Sequence, residues 1–311
     1  METRRLGQTD LEVSAIGLGC WGISGDWGAV ERAQALATLT RAFELGVTFF
    51  DTADLYGRGR SEELVCEALG AHRREIVIAT KGGMNFYDGE RHLDFRPEYI
   101  QFALEQSLKR LGTDYVDLYQ LHNPEASHLT DDLFALLERL RERGKIRHYG
   151  VSLNSRMEGL AALADRQPAS LQVIYNLLDQ RAATEVFPWT SARGVGVIAR
   201  VPLSSGRLTG KFTPAHAFAP GDHRRKRPPE WIAEGAAQAH RLSFLVRGGR
   251  TLAQAALQFV LAHPAVSVTI PGAKSPRQVE ENVSAIAAPP LTPVELLQAE
   301  GPVAQDRPLS Q

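Results

Sequence analysis

Eight short apolar runs recur along the chain, SAIGLG, VTFFDT, EIVIAT, YVDLYQL, IRHYGVS, LQVIY, VGVIAR and VSVTI, and segments with helical hydrophobic spacing lie between them. Each run is close to the strand norm of about 5 residues and rich in Val, Ile, Tyr or Phe. The helical patterns cover residues 30–44, 62–69, 97–111, 131–143, 155–164, a short stretch near Phe187, 252–262 and 276–286. Their starts make chemical sense: Thr130 precedes two aspartates, Thr251 opens another helix, and Ser275 precedes a proline at the first helical position. Near-continuous apolar strands alternating with helices imply a parallel sheet covered on both faces. Eight such units predict an α/β fold, a single (β/α)8 TIM barrel, and TRRLGQTDLEV ahead of them predicts an N-terminal β-hairpin turning at 7–10. No repeat or linker divides the chain, so residues 1–311 read as one barrel domain.

The remaining composition excludes several partners. With 35 basic and 36 acidic residues the net charge is -1, which provides no field to draw in nucleic acid or an anionic membrane. No apolar run approaches the roughly 18 residues of a membrane span. Cys20 and Cys66 stand apart, outside any metal-ligand spacing, and the N-terminus lacks the apolar segment of a signal peptide, so a cytoplasmic protein without a metal is expected. The least regular stretch, 204–238, contains HRRKRPPE at 223–230 and reads as a loop over one barrel face. Its basic cluster fits either a solvated loop or one that holds an anion.

Gly17, Gly19 and Gly22 in AIGLGCWGIS have the GxGxxG spacing of a Rossmann fingerprint. That fingerprint needs a helix directly after the glycines and an acidic residue about 20 residues on. Here Gly25 and Gly28 disfavour a helix until residue 30, and no strand-terminal acid occurs before Asp51. The glycines therefore read as places of close backbone approach to a cofactor or to another loop.

Asp51 ends the second predicted strand, with Tyr56 in the loop behind it; Lys81 ends the third strand and His122 the fourth. In a closed barrel these C-terminal strand ends meet at one mouth. An ammonium about 4 Å from a phenol contributes on the order of 4 kcal/mol at an effective dielectric near 20, so Lys81 is expected to lower the Tyr56 pKa. Asp51 would keep Lys81 charged, and a neutral His122 would orient a carbonyl oxygen. The group reads as a proton donor to an oxyanion formed when hydride reaches a carbonyl carbon.

From LGQTDLEVSAIGLGCW to IPGAKSPRQVEENV the sequence resembles the aldo-keto reductase superfamily, more its bacterial and channel-β-subunit-like branches than the mammalian aldose reductases. The resemblance implies a barrel that binds an extended nicotinamide dinucleotide, with Asp51, Tyr56, Lys81 and His122 as the catalytic tetrad and Asp51 also counted at the cofactor. It places Gly19, Cys20 and Trp21 beside the nicotinamide and substrate, though Trp21 also reads as a core aromatic. Ser152, Asn154 and Gln172 would hold the carboxamide. Arg200 stands where an aromatic residue often stacks on the nicotinamide, and a guanidinium plane can stack too. Leu203, Gly206 and Lys211 would follow along the pyrophosphate, Lys274, Gln278, Glu281 and Asn282 match the adenosine end, and Val201 and Gly272 are counted with the cofactor-binding residues. Lys274 and Arg277 imply NADPH over NADH.

The expected activity is NADPH-dependent reduction of an aldehyde or ketone, or oxidation of the alcohol, by direct hydride transfer. A cofactor-sensing regulatory subunit with little turnover is the alternative, and a metal-dependent hydrolase lacks clustered ligands. Trp21, Phe86, Tyr87 and Trp231 are candidate pocket residues. The partner is a small carbonyl or alcohol; its identity and the number of subunits stay open.

Overall fold

The computed structural model describes residues 1–154, 156–213 and 216–300. Eight parallel strands form its central sheet: Leu18–Gly19, Phe49–Asp51, Val77–Gly82, Val116–His122, Ile146–Ser152, Ser170–Ile174, Gly196–Arg200 and Val266–Ile270, each beside its successor. The ring closes between first and last strands through parallel bridges from Ile16 to Thr269 and from Gly19 to Gly272. The seam explains the glycines. A Cβ on Gly17 would lie 2.9 Å from the Phe49 carbonyl oxygen, and one on Gly19 2.9 Å from that of Ile270. They bring backbone against backbone, and a 3₁₀ turn, Cys20–Ile23, follows rather than a helix.

Side chains alternate along each strand, so inward positions recur every second residue. At the lower end these positions are apolar: Phe49, Val77, Ala79, Leu118, Ile198, Val268 and Ile270 form one buried cluster with Leu6, Leu11 and Val13 of the hairpin. The hairpin, Thr3–Arg5 paired with Glu12–Ser14, thereby plugs the bottom. Continuing upward by twos gives Asp51, Lys81, Gln120 and His122, Ser152, Gln172, and Arg200. The same periodicity that builds the core thus delivers polar groups to the mouth.

Helices cover the outside, including Arg32–Glu44, Pro97–Leu111, Asp131–Glu142 and Leu252–Ala262. The predicted caps are present: Thr130, Thr251 and Ser275 accept hydrogen bonds from the amides of Leu133, Gln254 and Gln278. On Asp131–Glu142, Leu133, Leu136, Leu137 and Leu140 are buried, the spacing of an apolar stripe turned to the sheet.

One departure concerns 204–238, read from sequence as irregular. Its last part, from Pro229, belongs to a 13-residue helix that runs on to Arg241. Pro229 opens this helix, where a proline in the first turn lacks only an amide that has no intrahelical partner there.

Candidate active site

Lys81 is fully buried at the end of its strand. Its Nζ donates to Asp51 Oδ1 at 2.5 Å, to the Thr52 carbonyl at 2.8 Å and to the Tyr56 hydroxyl at 3.3 Å. The other Asp51 oxygen, Oδ2, accepts from Gln172 Nε2 at 2.7 Å and Gln120 Nε2 at 3.0 Å. Tyr56 rides on a tight turn whose Arg58, Gly57 and Gly59 have positive φ of 54°, 59° and 95°. Asp26 Oδ2 holds that turn by accepting from the Gly57 amide at 3.3 Å. The His122 ring meets Tyr56 edge-on, centroids 5.9 Å apart, and its Nδ1 is buried with no partner among the described residues. All four side chains expected at one mouth therefore meet there.

Burial opposes the charge on Lys81, but Asp51 and Tyr56 more than offset it and hold the ammonium above its ordinary pKa. Burial and the nearby cations Lys81, Arg200 and Arg91 push His122 well below the histidine range, so the ring is neutral. Tyr56 differs from the sequence expectation. Burial raises its pKa, Asp51 adds to that, and the downward pull of Lys81 does not compensate. An ammonium neighbour alone would lower it; desolvation of the phenol and the carboxylate behind the ammonium outweigh that pull. The result is a tyrosine that keeps its proton, next to a cation that would stabilise the phenolate once the proton leaves.

The expected cofactor residues follow the rim. Ser152 Oγ donates to Asn123 Oδ1 at 3.2 Å, and Arg200 donates to Asn154 Oδ1 at 2.6 Å, while Arg200 Nε is buried without a partner among the described residues. Both amide hydrogens of Gln172 are taken, by Asp51 and by Gln120 Oε1 at 3.2 Å, which leaves its carbonyl oxygen for a ligand. Beyond Arg200, Val201, Ser204, Ser205 and Gly206 have positive φ of 56°, 48°, 56° and 96°. A β-branched residue there is a genuine outlier, and left-handed turns of this kind form concavities for anions. Asn176 steadies it by donating to the Val201 carbonyl at 3.0 Å. Leu203 is half-buried at the start of this turn.

At the far end Lys211 pairs with Glu281 at 3.1 Å, Gln278 Oε1 accepts from the Lys274 amide at 2.7 Å, and Asn282 donates to the Gly272 carbonyl at 3.4 Å. Gly272 has room: a Cβ there would meet nothing closer than the Gly19 carbonyl at 3.7 Å. Lys274 Nζ donates to the Trp27 carbonyl. An unpartnered guanidinium nitrogen, an anion-shaped backbone turn and an open glycine fit an extended dinucleotide.

Cys20 is buried beneath the mouth. Trp21 stacks on Tyr56 with centroids 5.8 Å apart, and His223 stacks on Trp21 at 4.9 Å while meeting Trp27 at 4.3 Å. The basic loop thus docks on the entrance. Arg224 lies 4.6 Å from the Trp27 ring and 4.3 Å from that of Phe218, with Asp222 paired to it at 2.7 Å. Of the other pocket candidates, Tyr87 accepts from Arg110 at 2.8 Å, Trp231 lies under Arg207, and Phe86 stacks on Tyr87. Sequence reasoning missed Gln120, Asn123, Asn176 and Trp27. Gln120 alone carried a signal, as the inward residue one step below His122.

A family model described as the aldo/keto reductase family matches residues 15–300. The chain belongs to the aldo/keto reductase family. This aldo-keto reductase is 34% identical over 308 residues to an uncharacterised oxidoreductase, YqkF, of Bacillus subtilis, covering 98% of each chain. It is 33% identical to the yeast protein named aldo-keto reductase yakc [NADP(+)], of Schizosaccharomyces pombe, over 91% of this chain and 86% of the other. Among solved structures it resembles the holo form of aldo-keto reductase AKR11C1 from Bacillus halodurans, with a TM-score of 0.85, 32% identity, and coverage of 100% and 99%. Among the described residues of this oxidoreductase, no helix is long and apolar enough to cross a membrane, and no group of three or more His, Cys, Asp or Glu could hold a metal.

Proposed function

We propose that this aldo-keto reductase reduces a small aldehyde or ketone with NADPH, Tyr56 acting as the acid beside Lys81. The single observation that carries the reading is the Lys81 ammonium held between Asp51 at 2.5 Å and the Tyr56 hydroxyl at 3.3 Å. Bound NADPH would supply the hydride. The carbonyl carbon gains that hydride and its oxygen becomes an alkoxide, a stronger base than a phenolate. Tyr56 gives up its proton to this oxygen, and Lys81 stabilises the tyrosinate that remains. Asp51 keeps Lys81 charged. Neutral His122, whose Nδ1 is buried with no partner among the described residues, would donate to the same oxygen and fix its direction.

Arg200, Asn154, Ser152 and the free carbonyl oxygen of Gln172 would hold the nicotinamide end. Gly19, Cys20 and Trp21 would border it, Val201, Leu203, Gly206 and Lys211 the pyrophosphate, and Gly272, Lys274, Gln278, Glu281 and Asn282 the adenosine. A preference for NADPH rests on Lys274 and Arg277 near that end, and on the NADP(+) in the name of the yeast relative. We take 1–311 as one domain working in the cytoplasm, where free Cys20 and Cys66 would stay reduced.

The test is absorbance-monitored NADPH oxidation against simple aldehydes, sugars and ketones, repeated with NADH. Turnover with NADPH is expected. Tight NADPH binding with no multiple turnover on any of them would overturn the reductase reading in favour of a cofactor-sensing subunit.

A further inference from the structure

The acid has a support that the tetrad alone does not include. Asp51 Oδ1 faces Lys81, but Oδ2 points the other way, into the barrel, where two amides meet it: Gln172 Nε2 at 2.7 Å and Gln120 Nε2 at 3.0 Å. The two glutamines are joined to each other, Gln172 Nε2 donating to Gln120 Oε1 at 3.2 Å. Gln120 has no exposure to solvent and Gln172 is 2% exposed, so water cannot replace either amide. Beneath them the barrel is apolar, with Leu118 one inward step below Gln120 on the same strand. Without these donors a carboxylate lodged between an apolar core and one lysine would carry an unsatisfied oxygen, which is costly in a buried site.

We infer that Gln120 is a positioning residue for the reaction: with Gln172 it clamps Asp51 Oδ2, so that Oδ1 stays on Lys81 and the ammonium stays aimed at the Tyr56 hydroxyl. Among the described residues Gln120 makes its side-chain hydrogen bonds to Asp51 and Gln172, and it reaches Lys81 and Tyr56 through Asp51. Gln172 has two duties, this clamp and the carbonyl oxygen it leaves for a ligand. The two glutamines are therefore separable: loss of Gln120 disturbs the acid, whereas loss of Gln172 disturbs the acid and cofactor binding together. The register supports this division. Lys81 pairs with Gln120 across adjacent strands, and Gln172 pairs with Ser152 on the rim side.

This inference rests on the proposed reaction for its kinetic arm and is independent of it for its spectroscopic arm. Purified full-length wild type, Q120L, Q120E and Q172L are compared in NADPH oxidation with 4-nitrobenzaldehyde across pH, in NADPH affinity, and in thermal midpoint. A hydrogen bond to a charged group accounts for roughly a tenfold change, so Q120L should lower kcat about 10-fold while NADPH affinity stays within about 2-fold. Q172L should lower both. In Q120E the introduced carboxylic acid can donate to Asp51 only while protonated, so this variant should regain activity on the acidic side and lose it as pH rises. A packing role would not produce such a profile. Should Q120L fail to fold, the pH profile of Q120E decides.

The spectroscopic arm follows tyrosinate absorbance on raising pH, with Y56F subtracted to isolate Tyr56. Q120L should move the Tyr56 midpoint upward, because the ammonium is no longer held on it. Wild-type kcat in Q120L together with an unmoved tyrosinate midpoint would overturn the proposal, as would a Q120E profile of the same shape as wild type. If wild type shows no turnover, the reductase reading fails and the tyrosinate shift alone judges Gln120.

Discussion

The ammonium of Lys81 lies 3.3 Å from the Tyr56 hydroxyl and 5.0 Å from the centre of its ring. In the proposed reaction one cation therefore faces both the oxygen that would lose a proton and the ring that would hold the resulting charge. Positioned proton transfer is worth about 10²- to 10⁴-fold, so Y56F should lower kcat by at least about 100-fold with NADPH affinity unchanged. Retention of more than about a tenth of wild-type turnover would refute the assignment of Tyr56 as the acid. K81M should be similarly impaired, and its tyrosinate midpoint, read by difference absorbance, should move upward.

The protonation states dictate the shape of the pH profile. With Tyr56 as the proposed acid, reduction needs it protonated, and burial sets its pKa above the ordinary tyrosine value, so its alkaline limb belongs above about pH 10. Neutral His122, pushed well below its ordinary value by burial and by neighbouring cations, should contribute no acid limb near pH 6.5. Reductive kcat/KM should therefore be flat between these limits as far as the two residues determine it. A limb near neutral pH that disappears in H122Q would show that His122 titrates in the working range.

How much of this was legible follows from periodicity. Asp51, Lys81 and His122 could be placed because each ends an apolar run, and strand ends converge in a closed barrel. Gln120 lay in the same run as His122, but a glutamine within YVDLYQL carries no charge and passes as one polar residue in a strand. The seam glycines could be separated from a Rossmann loop by the missing helix, whereas their contact with the Phe49 and Ile270 carbonyls needed the closed ring. Least legible was the net shift on Tyr56. Pair charges follow from neighbours named in the sequence, while desolvation depends on how completely the mouth is buried.

Arg200 and Asn154 test the rim. Their 2.6 Å hydrogen bond orients a guanidinium whose Nε has no partner among the described residues. A planar cation held this way can stack on a ring and accompany a phosphate-bearing ligand. R200A should weaken NADPH binding about 10-fold or more, seen by quenching of tryptophan fluorescence, while N154A should have a smaller effect because Arg200 also approaches the Leu153 carbonyl at 3.5 Å. Equal NADPH affinity in R200A and wild type would remove Arg200 from the cofactor site.

The basic loop gives a kinetic prediction. Arg224 packs between Trp27 and Phe218, donates to the Ser205 carbonyl at 3.0 Å and pairs with Asp222, tying the loop to both the entrance and the left-handed turn. R224A should free the loop and raise the NADPH dissociation rate, measured by stopped-flow fluorescence, more than it changes the association rate. An unchanged dissociation rate would mean that the loop does not retain the cofactor.

Asp54 gives a stability prediction whose sign can be worked out. It is fully buried beside Glu62, and neither carboxyl oxygen has a hydrogen-bond partner among the described residues. Burial, with the Glu62 charge adding to it, raises its pKa well above the carboxylate range. Below the unfolded-state value, about 3.9, folded and unfolded chains both hold the proton and the site has no effect on the pH dependence. Above it the unfolded chain ionises first, so folding stability falls with rising pH until the folded-state pKa is reached. D54N removes this loss. The thermal midpoint of D54N relative to wild type should rise as pH is raised above about 4, whatever constant offset the amide introduces. A difference that does not change as pH is raised above about 4 would mean that Asp54 ionises in the folded protein as readily as in the unfolded chain.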